Sequence, residues 1–239
     1  MGEPACRTIA PRSLGELLRY LDARFPAREL ASLGPARGFE RPARRVPSGL
    51  PELDRLCGGL PVGGIAELIA AAAGGALVLH ACLAAAAGRG ARAALVDPGE
   101  GFDPASARAA GVVLRSLLWV RPRGGRQQAG RRALRAAELI LATGRFGLVA
   151  LDLQGGFPPP RAAAWLRLGR LARSREAVLL LIAEQRLALA AELVVELRCR
   201  PRWGDRERLR GGAESATGGG PRWLAGMEPH FVVRKGGRR

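Results

Sequence analysis

The chain is almost devoid of lysine: among 38 basic residues, Lys235 alone is not arginine. Histidine is nearly as scarce, with His80 and His230 the two examples, and the four cysteines, Cys6, Cys57, Cys82 and Cys199, form no C-x-x-C pair. A structural zinc site needs clustered ligands, so no metal site is expected, and a reducing cytoplasm is the expected setting. The first residues, "MGEPACRTIAPRS", lack the apolar segment of a secretory signal. One long apolar run does exist, residues 68–87, in which only His80 is polar. Twelve of its twenty residues are Ala or Gly, and its few Leu, Ile and Val barely offset the rest, so no membrane span and no membrane partner are expected.

Acidic residues are also in short supply. The 21 Asp and Glu leave a formal net charge of +17, carried almost wholly by guanidinium groups. GC-rich coding explains arginine in place of lysine, but not the excess of bases over acids. A basic field of this size speeds association with polyanions, and the guanidinium fork suits phosphate and acidic protein surfaces. What the chain has in quantity is apolar: 48% of 239 residues, enough for the core of one substantial domain with extensions.

Residues 1–45 read as an amphipathic helix followed by a basic linker. Leu14, Leu17, Leu18 and Leu21 recur at helical spacing, Ser13 and Glu16 form a capping box, and "GPARGFERPARRVPSG" is rich in Pro, Gly and Arg. From Val46 to Arg200 short apolar runs alternate with helical stretches. Strands are predicted at 65–69, 92–97, 146–153, 177–184 and 192–200, and helices at 76–88, 103–111, 126–143 and 160–174. This alternation predicts an α/β fold with a mainly parallel sheet flanked by helices. The 160–174 helix sets Trp165, Leu168 and Leu171 on one side and Arg167, Arg170 and Arg173 on the other, an amphipathic helix with a solvated basic face. Residues 201–239 read as a flexible basic extension, with Gly211–Gly220 as a loop and "HFVVRK" as an edge strand.

The stretch "GGLPVGGIAELIAAAAGGALVLH" looks like the approach to a phosphate-binding loop. The frame G-x-x-x-x-G-K-[ST] falls on Ala70–Leu77, where Gly75 is kept, the lysine becomes Ala76 and the hydroxyl residue becomes Leu77. The cation and the metal-holding oxygen are both missing, and the nearest arginines, Arg89 and Arg92, lie outside the loop.

"VPSGLPELDRLCGGLPVGGIAELI" followed by "GRGARAALVDPGEGFDPASARAAGV" resembles the core of RecA-type recombinases. "LVALDL" resembles the family's second acidic strand and "LLLIAEQR" the strand ending in its nucleotide-sensing glutamine. The resemblance implies a vestigial nucleotide site at Gly74, Gly75, Asp152 and Gln185. Glu100 stands one residue away from the family's catalytic glutamate. The two DNA-holding loops are reduced to "QGGFPPP" and to almost nothing after Gln185. A RecA-like core with a degenerate loop and a basic extension resembles the ImuA group of SOS and translesion proteins, also called SulA-like. That likeness implies no catalysis, no cofactor and a polymerase-like protein of the translesion machinery as partner. By charge, contacts to that partner or to DNA, the latter non-specific, are expected at Arg37, Arg41, Arg44 and Arg45 and at Arg234, Lys235, Arg238 and Arg239. A divergent RecA-type ATPase, a SulA-like inhibitor of cell division and a plain DNA-binding module are the other readings.

Overall fold

A computed structural model describes residues 44–70, 74–205 and 222–237 together with Tyr20 and Ala23, with backbone alone for 201–205 and 222–227. The apolar runs become β3 (Ile65–Ala70), β4 (Ala93–Val96), β5 (Leu117–Val120), β6 (Leu148–Asp152), β7 (Val178–Ala183), β8 (Leu193–Asp205) and β9 (Arg222–Lys235). They form one seven-stranded sheet in the order β5-β4-β6-β7-β3-β8-β9, parallel throughout except for the antiparallel β8–β9 pair. Two short strands, β1 (Arg45–Val46) and β2 (Leu60–Pro61), pair antiparallel outside it.

Every residue of β7 is buried, as are Leu148 to Leu151 of β6, which is why these strands read as unbroken apolar runs rather than alternating ones. Parallel neighbours require crossovers, and helices supply them. On one face lie α1 (Pro51–Cys57), α2 (Gly75–Gly88) and α3 (Pro104–Ala109), packed over Leu68, Leu95, Ala150 and Leu180. On the other lie α4 (Arg126–Ala142) and α5 (Ala162–Ser174), packed over Val149, Leu151, Leu179 and Leu181. Trp165 of α5 is 1% exposed at the centre of that second layer. Burying such side chains contributes about 1.5–3 kcal/mol each for the aliphatic ones.

Local signals account for the helix ends. Pro51 and Pro104 open α1 and α3, where a missing N–H costs nothing. Asp103 caps α3 by accepting from the Ala105 and Ser106 N–H groups, and Gly58 ends α1 with a left-handed φ of 76°.

The architecture is the expected one, an α/β fold with a mostly parallel sheet flanked by helices, consistent with a RecA-like fold. Strand β5, helix α1 and the β1–β2 ribbon were not predicted. "HFVVRK" does form an edge strand, but within a longer β9 that pairs with β8 from Lys235 back to Arg222. The apolar run 68–87 is divided between β3 and α2, and no described helix is long and apolar enough to cross a membrane. Of the N-terminal helix, Tyr20 and Ala23 are described; both are helical, and Tyr20 packs against the α4–α5 layer. The Gly211–Gly220 loop lies outside the described residues.

Candidate functional site

The sheet order brings the carboxyl ends of β6, β7 and β3 side by side, the edge at which ligands of open parallel sheets bind. Helix α2 starts there. Its cap, Gly74, has no side chain to bond the first turn, and its next residues are Gly75, Ala76 and Leu77. Ala76 and Leu77 are exposed, Leu77 at 45%, so neither a cation nor a hydroxyl faces outward from this turn.

The turn is crowded on two sides. A Cβ on Gly74 would come within 2.4 Å of Leu197 Cδ2 and 2.9 Å of Cys199 Sγ, both from β8. A Cβ on Gly75 would lie 2.4 Å from Gln154 Oε1. The same Gln154 side chain donates from Nε2 to the Ala70 carbonyl, at the end of β3, at 3.0 Å. One amide from the β6–α5 connection thus bridges the end of β3 and lies against the start of α2. Sequence reasoning missed Gln154, which stood there only as part of a shortened loop.

Neighbouring carboxylates hold that connection in place. Asp152, the last residue of β6, accepts the Gln154 N–H at 3.0 Å, and Glu184, just beyond β7, accepts the Gly155 N–H at 3.3 Å. Burial pushes the Asp152 carboxyl up to about 6; the Gln154 N–H opposes the rise, and the charges of Asp97 and Glu184 add to it. Among the described residues no group of three or more His, Cys, Asp or Glu side chains could hold a metal ion.

Asp97, 1% exposed, is used internally: it accepts from the Gly101 N–H at 3.1 Å, the Phe102 N–H at 3.0 Å and Trp119 Nε1 at 3.3 Å. Those bonds fold the turn after β4 so that Glu100, at φ 53°, faces Arg121 at 3.9 Å. Arg121 also lies over the Trp119 ring, which meets Phe102 edge-on, and Phe102 meets His80 in the same way. Burial holds the His80 imidazole below its ordinary pKa, with the Asp103 charge opposing.

After β7, Gln185 is exposed and the chain reaches β8 through residues 184–192. This short connection is pinned by Glu67, 1% exposed in β3, whose Oε1 accepts from the Ala188 N–H at 3.0 Å and from the Leu187 N–H. A carboxylate inside the run "IAELI" was the sequence signal for that anchor.

The other expected contact residues are dispersed. Arg44 pairs with Glu176 at 3.2 Å. Arg45 donates to the Gly59 and Gly236 carbonyls at 2.9 and 3.0 Å, tying the β1–β2 ribbon to the end of β9. Arg234 pairs with Glu196, and Lys235 donates to the Ala191 carbonyl. Arg37, Arg41, Arg238 and Arg239 lie outside the described residues. Arg89 closes the far end of α2 and donates to the Pro47 carbonyl at 2.7 Å; fourteen residues of helix, about 20 Å, separate it from Gly75. Cys57, Cys82 and Cys199 form no disulfide among the described residues, and burial pushes Cys82 up to about 12.

No protein-family model matches the chain. Over 104 residues, 43% of its length, it is 36% identical to Protein RecA of Chlorobaculum tepidum, and the same figures hold for Protein RecA of Chlorobaculum parvum and of Chlorobium limicola. The match covers 28% of the length of each of these curated relatives. It is a partial likeness to RecA proteins, in agreement with the sheet.

Proposed function

We propose that this chain is a non-catalytic RecA-like accessory protein of DNA-damage tolerance, serving SOS mutagenesis and translesion synthesis. It works by binding a polymerase-like protein, with non-specific basic contacts to DNA.

The observation that carries this reading is the start of α2. A nucleoside triphosphate with Mg²⁺ relies there on backbone N–H groups, an amine and a hydroxyl. The described residues offer Ala76 and Leu77 at the two side-chain positions, and the Gln154 amide lies against Gly75. These residues do not fit the nucleotide. A RecA-like frame without the amine and hydroxyl side chains is suited to presenting surfaces to other proteins, and the partial likeness to RecA supports a role in DNA repair.

Capture with the purified full chain from cells exposed to a DNA-damaging agent tests the partner. Retention of a polymerase subunit is expected; retention of a division protein would favour the SulA-like alternative instead. A salt series on duplex DNA tests the second contact. Log affinity should fall linearly with log salt, and the absence of any slope would remove DNA from the account.

A further inference from the structure

Helices α4 and α5 carry seven arginines against one carboxylate, Glu138, whereas α1, α2 and α3 on the opposite face carry two arginines and two acids. The positive field of the described helices is therefore concentrated on one side of the sheet. Between α4 and α5 runs an open groove of about 520 Å³, rimmed by Arg135, Arg167 and Arg170 and floored by Leu139, Ala142 and Leu171.

Its parts are arranged. Glu138, with 13% of its side chain exposed, pairs with Arg135 at 3.1 Å and with Arg167 at 2.8 Å, holding two guanidinium groups at the rim with a single charge. Arg170 has no ion pair among the described residues. Leu166, 52% exposed and one helical turn before Arg170, adds an apolar surface beside it.

We infer that the α4–α5 groove docks an acidic amphipathic helix of a protein partner. The inference rests on the reading above, that the chain works by binding a protein, and adds where it binds and what chemistry it recognises. An apolar floor receives side chains at i, i+3, i+4 and i+7 of a docked helix, and an arginine rim receives the carboxylates flanking that stripe. The pre-pairing of two rim arginines favours the bound geometry, because their side chains have already lost freedom. A phosphodiester backbone matches the groove less well. It has no use for the apolar floor, and Glu138 would repel it from the middle of the groove. Helix α4 is 17 residues long, about 25 Å, so four turns of a partner can lie along it.

The test uses the full chain and three fluorescent probes: a peptide of about 18 residues with a leucine stripe flanked by glutamates, the same peptide with lysines for the glutamates, and a duplex of about 20 base pairs. The acidic peptide is expected to bind and the basic one not. Reversing charge with Arg167→Glu and Arg170→Glu should weaken acidic-peptide binding at least about tenfold. Ala142→Gln, an uncharged change at an exposed floor position, should weaken the acidic peptide severalfold and leave the duplex unchanged. Thermal melting of each variant checks that the fold is intact. Equal binding of both peptides, no binding of the acidic one, or indifference of its affinity to Ala142→Gln would each overturn the inference. Duplex binding that depends on the arginines, with the acidic peptide inert, would overturn it in favour of nucleic acid. Failure of the peptide pattern without ATP turnover removes the groove alone; ATP turnover with the peptide pattern intact removes the non-catalytic reading alone.

Discussion

The Gln154 side chain donates to the Ala70 carbonyl at 3.0 Å across 84 positions of sequence, joining the β6–α5 connection to the end of β3. The bond uses a backbone acceptor at the point where the chain leaves the sheet for α2, and it brings the amide oxygen against Gly75. Two segments far apart in sequence are thereby tied directly to each other.

That relationship predicts a coupling between Gly75 and Gln154. In the parent chain Gly75→Ala sets a Cβ 2.4 Å from the amide oxygen, forcing the side chain to move and lose its bond. The loss of about 1 kcal/mol should cancel the helical advantage of alanine, which is also about 1 kcal/mol. With Gln154→Ala already in place, the same Gly75→Ala change should stabilise. Denaturant melts of the four proteins measure the interaction, expected near 1 kcal/mol; additive effects would show that the two residues do not meet.

Asp152 predicts a pH signature. Its folded pKa of about 6 lies above the unfolded value near 3.9, so the native state holds its proton more tightly. Stability from this group is fully present below about pH 4 and is lost as pH rises through 6. Asp152→Asn keeps an oxygen to accept the Gln154 N–H and removes the charge. Its stability advantage should grow from near zero at pH 4 to on the order of 2 kcal/mol above pH 6. An advantage that stays flat between pH 4 and 7 would contradict the burial of this carboxylate.

Glu67 predicts a strong contrast between two substitutions. Glu67→Ala leaves the Leu187 and Ala188 N–H groups without their acceptor, at a cost of about 3 kcal/mol or more. Glu67→Gln retains the oxygen and should cost much less. Hydrogen exchange at Leu187 and Ala188 should accelerate in the alanine variant alone; equal protection in both would remove Glu67 as the anchor of the β7–β8 connection.

Much of the frame was legible because parallel strands buried on both faces are written as plain apolar runs, as in "AVLLLIAE" and "FGLVALDL". Strand β5 was not. "LLWV" is four residues at the edge of the sheet, half-covered, and follows directly on a 3₁₀ turn, Leu114–Ser116, that blurs its boundary. The missing lysine and hydroxyl were readable from Ala76 and Leu77, since identity at a known spacing suffices. The contact beside them was not, because Gln154 reaches Gly75 only through the adjacency of strands far apart in sequence. The bonds of Arg45 were hidden for the same kind of reason: within a basic linker only its charge is readable, whereas its guanidinium joins two carbonyls 177 positions apart, at Gly59 and Gly236.

The non-catalytic reading requires that the start of α2 not hold a triphosphate. The direct measurement is a titration of the purified full chain with a fluorescent ATP analogue and Mg²⁺, run beside a phosphate-release assay. Binding should be undetectable up to about 1 mM, an interaction weaker than about 4 kcal/mol, with no phosphate released above background. Saturable, Mg²⁺-dependent binding that disappears in Asp152→Ala, accompanied by steady phosphate release, would contradict it.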